Sequence, residues 1–255
     1  MDGQGDRTPT TRPAPDAGTI IGVTSDDTGR ERREQGRHGT RRAASDSAAS
    51  DPAGDREGSG ATIELSLDEI RAVAAFAVEC AEPAASIFEQ ACPRDSRARD
   101  ALDVTRAFAE GARRSKAIRD AAWAAWRAYQ ETRDAGLAAA SEAARSAHTA
   151  ASSAYLHPLS KATQVRHILG AAAHTAQACE LDAGDNADVA AEQLRRAQRL
   201  ATPAVIDVLR RYPTAPTGGA RPGELIRTLD AVLRDTSCRG VDDDGARPRS
   251  GGTGT

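Results

Sequence analysis

Aromatic side chains are scarce in this chain. They fill 3% of 255 positions, as three phenylalanines, three tyrosines and two tryptophans. Lysine occurs only at Lys116 and Lys161, and Met1 is the single methionine. Leu, Ile, Val and Phe together stay under the ~20% expected of a well-filled core. A chain this poor in large apolar groups is not expected to fold along its whole length, because burial must offset the entropy of ordering. An excess of one charge is missing as well. The net charge of −3 is too small to attract a nucleic acid or a strongly charged substrate by its field alone.

Absent motifs exclude several chemistries. No run reaches the roughly 18 apolar residues of a membrane helix, and arginines interrupt the alanine-rich stretches. The opening MDGQGDRTPTTRPAPDAG has no basic start followed by an apolar centre, so it is no secretory signal. The four cysteines, Cys80, Cys92, Cys179 and Cys238, form no C-x-x-C pair and match neither a zinc spacing nor a small disulfide framework. They read as free thiols in a reducing compartment, so the expected location is cytoplasmic. There is no G-x-x-x-x-G-K-[ST] phosphate loop, no G-x-S-x-G elbow and no Glu-x-x-His pair. GARRSK at Gly111–Lys116 is basic but is not such a loop. The expectation is a protein without a cofactor that is not an enzyme.

What is present is alanine at helical spacing, with arginine nearly the sole base. Residues 1–60 are rich in Gly, Ser, Thr, Pro, Asp and Arg and are expected to be disordered, unless translation starts nearer Ala61. Residues 236–255 read the same way. Between them, 61–235 reads as a single all-α domain of about eight or nine helices, a bundle or superhelix without a repeat period. SLDE at Ser66–Glu69 is a capping box. Pro83 and Pro93 are expected to divide the region that follows, since proline breaks a helix interior. Asp95 caps the next helix, and further helices are expected over about 112–135, 137–155, 161–181, 187–201, 203–211 and 223–234. ATIELS is the one stretch that resembles a strand.

Four histidines raise the question of a metal. His167 and His174 lie opposite the apolar stripe Val165, Ile168, Leu169, Ala172, Ala176 and Cys179 of their helix. Seven residues separate them by about 10.5 Å along the axis. Ligand pairs on one helix ordinarily sit at i,i+4, so His148, His157, His167 and His174 are weak metal candidates only, and packing is the favoured reading. The segment SKAIRDAAWAAWRAYQETR offers something else. Its tryptophans read first as the bulky core of an alanine domain. The other reading is an interface in which Trp123, Trp126, Arg119 and Arg127 meet a partner, since Trp and Arg dominate binding hot spots.

TIELSLDEIRAVAAFAVECAEPAASIFE, FAEGARRSKAIRDAAWAAWRAY and AYLHPLSKATQVRHILGAAAHTAQACEL together resemble the immunity-five-like family of bacterial polymorphic toxin systems. The likeness continues through ATPAVIDVLRRYPTAP and GELIRTLDAVLR. That all-α family is common in actinobacteria. It implies a cognate protein toxin as partner, neutralised by non-catalytic binding, with no membrane and no nucleic acid involved. Some members carry the label exonuclease SbcC. That label does not suit a chain without a phosphate loop or sustained heptads. A helical scaffold or regulator with another partner is the competing reading, and a histidine-based metal protein or enzyme comes third.

Overall fold

Ser66 opens the first helix. Its hydroxyl accepts the backbone N–H of Glu69, and the Glu69 carboxylate accepts the N–H of Ser66 at 2.7 Å. The reciprocal bonds satisfy two of the orphan donors at a helix start. In this computed structural model, which describes residues 61–235, the helices are α1 (Leu67–Ala91), α2 (Arg97–Ala109), α3 (Lys116–Asp134), α4 (Ala138–Ser153), α5 (Val165–Asp182), α6 (Ala187–Leu200), α7 (Pro203–Arg210) and α8 (Ala220–Asp235), with a 3-10 turn at Ala162–Gln164 before α5. The fold is all-α. Among the described residues the only β feature is a single antiparallel bridge, Thr62 to Leu159, where ATIELS was expected to resemble a strand. The expected tails, 1–60 and 236–255, lie outside the described residues.

Pro83 does not end a helix, contrary to the sequence expectation. α1 runs through it for 25 residues. Proline has no N–H to give the carbonyl four residues back, here that of Glu79. The structure supplies another donor, because Arg196 Nη1 of α6 reaches the Glu79 carbonyl at 2.8 Å. Pro93, by contrast, follows the C-cap Cys92 and does terminate α1. Asp95 takes the Arg97 N–H at 3.0 Å, but the N-cap of α2 is Ser96, one residue later than expected, and its side chain makes no capping bond. Gly136, at φ 75°, ends α3. α8 starts three residues earlier than expected, at Ala220, and holds Pro222 in its first turn.

Two clusters of buried side chains share α1. Ile70, Ala74, Ala77, Ala81 and Phe88 join Leu102, Phe108, Ile118 and the alanines of α4 in the first. Val73, Phe76 and Cys80, on another face of α1, join Ile168, Leu169, Leu194, Val208, Leu229 and Leu233 in the second. α4 is buried nearly all round by small residues alone, such as Ala144, Ser146, Ala147 and Ala151. Each contributes little area, but together they let helix axes come close. The tightest approach is α4 on α5. A Cβ added at Gly170 would stand 2.6 Å from Cγ2 of Thr149. Beside it, the Ser146 hydroxyl bonds both the Ala171 carbonyl and Thr175 Oγ1 at 2.8 Å.

Candidate functional site

Two surfaces hold the residues singled out by sequence. The first is the outer face of α3. Ile118, Ala122, Ala125, Ala128 and Thr132 turn inward. That leaves Arg119, Trp123 and Arg127 outside, spaced i, i+4, i+8. Trp123 is 56% exposed, so the core reading fails for it. The physical reason is that alanine already fills the close α3–α4 contact, which leaves no room for an indole. Arg119 lies 5.3 Å from the Tyr155 ring centroid, and the Tyr155 hydroxyl donates to the Ser115 carbonyl at 2.8 Å. Arg119 is thereby steadied against an anchored ring.

Trp126 sits apart from that face, half-buried. The Arg145 guanidinium stacks 4.0 Å above its ring, with the Tyr129 and His148 rings 5.0 and 5.2 Å away. Its neighbours Arg145 and His148 line the second surface, a hollow of about 420 Å³ between α4, α5 and the start of α8. Three of the four candidate histidines, His148, His167 and His174, line it, while His157 is exposed on the loop after α4. Packing of α4 on α5 therefore gathers rings that sequence spacing kept apart.

The ring contacts fix the chemistry. His148 Nδ1 lies 2.8 Å from the Ala122 carbonyl. A carbonyl only accepts, so Nδ1 carries the proton. Burial pushes the His148 ring down to about 4, with Arg145, His167 and His174 acting in the same direction. Burial also lowers His167. His174 Nδ1 donates to Glu142 of α4 at 2.7 Å. Among the described residues no group of three or more His, Cys, Asp or Glu side chains is arranged to hold a metal ion. Cys80, Cys92 and Cys179 are free thiols, and burial raises Cys80 to about 12. A thiol held that high stays protonated and is a poor nucleophile. Cys238 lies outside the described residues.

The sequence did not single out Arg145, Arg166 or Glu142. Each is an ordinary helix residue until its neighbours are known. Arg145 with His148 on α4 and Arg166 with His167 on α5 are the local pairs that line the hollow.

The fold and these surfaces define an all-α protein with a tryptophan-bearing outer face and a basic hollow. The chain belongs to the family described as "Imm-5 like putative immunity protein", whose model matches residues 64–203. The match takes in α1 to α6. No curated protein and no solved structure matches the chain. No helix among the described residues is long and apolar enough to cross a membrane.

Proposed function

We propose that this protein is an immunity protein that binds a cognate protein toxin and blocks it by contact, without catalysis. Membership of the immunity family carries the reading. The outer face of α3 supports it with a surface of the right chemistry. Trp123 offers a large rigid apolar contact on a helix, and Arg119 and Arg127 flank it one turn away on either side. Centrally placed Trp with Arg neighbours is the usual make-up of a binding hot spot. The face is mounted on a helix whose inner side is fully packed, so it can meet a partner without rearranging.

The test is growth. The open reading frame beside this one is expressed in a laboratory bacterium with and without the full chain. Rescue of growth from a toxic neighbour supports the reading, and toxicity unchanged by the full chain overturns that pairing. Trp123→Ala is expected to weaken the complex by about 30-fold or more, the loss of a hot-spot residue. Because Trp123 is exposed, its thermal unfolding should stay that of the parent. An unchanged dissociation constant in Trp123→Ala would move the interface away from α3.

A further inference from the structure

The hollow between α4, α5 and α8 has a one-sided charge. Its ionisable lining consists of Arg145, Arg166, His148, His167 and His174, with no carboxylate. The nearby acid, Glu142, is taken up by His174 at 2.7 Å. This is a local reversal in a chain whose net charge is −3.

Arg145 shows what the hollow lacks. Its side chain makes no ion pair and no hydrogen bond among the described residues, and its Nη1 is buried without a partner. The faces of Trp126 and Tyr129, at 4.0 and 5.1 Å, hold the guanidinium, and the Glu142 carboxylate acts on it without a direct contact. A buried donor left unmatched is costly, and the other guanidinium nitrogens, not buried in this way, have no acceptor among the described residues either where Arg145 lines the hollow. Arg166, exposed at the rim, likewise has no carboxylate partner among the described residues. Two arginines on α8 are engaged by contrast: Arg221 grips Glu180 at 2.9 Å and Arg234 grips Asp230 at 2.7 Å.

Glycine lets the walls of the hollow pack closely. Gly170, Gly219 and Gly223 line the hollow, and a side chain at Gly223 would run into the Gly218 carbonyl. The volume falls in the range of small-molecule sites and exceeds what a single bare ion needs.

We propose that this hollow is a binding site for a small phosphate-bearing molecule, its phosphate oxygens accepting from the guanidinium groups of Arg145 and Arg166. Two arginines without carboxylates suit a group with several acceptor oxygens and up to two charges. The site stands apart from the toxin-binding reading, and neither needs the other.

Trp126 reports on it through Arg145, which lines the hollow and stacks on the indole. In the full chain carrying Trp123→Phe, Trp126 is the sole tryptophan, under the Arg145 guanidinium. Inorganic phosphate is titrated at pH 7 against chloride at matched ionic strength, with acetate as the second anion. The expected result is a saturable change in Trp126 fluorescence with phosphate. Adding Arg166→Gln should weaken it about tenfold, the loss of one charge-assisted contact. Arg166 is exposed, so that variant should fold even where Arg145→Gln does not. No saturable change, an equal response to acetate, or an unaltered titration in Arg166→Gln overturns the proposal.

Discussion

At the scale of the residue, Gly170 carries the contact on which the rest depends. It lets α5 lie against Thr149 of α4, whose hydroxyl is itself committed to the Arg145 carbonyl at 2.8 Å. Thr149 is β-branched and short, so it cannot swing aside. Gly170→Ala is expected to destabilise the domain by about 1–3 kcal/mol, the usual cost of overpacking. Thr149→Ser, which removes Cγ2 and keeps the hydroxyl, should recover most of that loss in the double variant. Chemical unfolding of the four proteins checks it, and a neutral Gly170→Ala would show that the helices can part freely. Much at this scale was legible beforehand. Ser66 with Glu69 and the stripe from Val165 to Ala176 are both set within a few residues of sequence. The hollow was not. His167 and His174 are seven positions apart and His148 lies on another helix, so only the α4–α5 contact makes them neighbours. Trp123 was misread for a related reason: scarcity of aromatics suggested a core role, but a core of alanine has no cavity for an indole.

At the scale of the element, α8 is fastened more firmly than its exposed sequence suggests. Asp230 is 5% exposed in its side chain and pairs with Arg234, 20% exposed, at 2.7 Å. The second Asp230 oxygen accepts the Ala215 N–H at 2.9 Å. Arg234 also donates to the carbonyls of Leu209 and Tyr212, at 3.0 and 3.2 Å, at the end of α7. One pair therefore closes the loop between the helices and gives a donor to one carbonyl in the last turn of α7 and to one in the loop beyond it. Asp230→Ala leaves a largely buried guanidinium without its counter-charge, and the expected loss is about 3 kcal/mol. Thermal or urea unfolding measures it. Loss of less than ~1 kcal/mol would mean the pair behaves as a surface ion pair. Such a device spans residues 209 to 234 and is invisible to periodicity, which registers only that Leu225, Ile226, Leu229 and Leu233 share a face. Those four complete the second core cluster, although they lie beyond the matched residues 64–203.

At the scale of the whole molecule, acid should undo the fold in two stages. His148 is held neutral, its value moved from 6.5 to about 4 by burial first of all. A group with a depressed value stabilises the fold fully above its unfolded value and loses that contribution as pH falls. The His148 contribution is thus whole above pH 6.5 and drains away toward pH 4, with a slope of at most about 1.4 kcal/mol per unit. Glu69 is drawn down from 4.5 to about 2, first by Arg211 and then by the Ser66 cap, so its share is lost only below pH 4.5. Urea unfolding at a series of pH values should show both. His148→Asn is expected to reduce the upper stage, which His167 shares, and Glu69→Gln the lower, which Glu82 and Asp95 share; a parent profile level between pH 6.5 and 4.5 would contradict the buried neutral ring. The proline inside α1 has a different consequence, in time. Until α6 arrives, the Glu79 carbonyl has only water to bond, and the helix shared by both clusters is weakest at its middle turn. A segment 117 residues downstream closes that gap. The helix that starts the domain in sequence is therefore among the last to become whole, and slow amide exchange around Glu79 should begin only when the second half of the chain has docked.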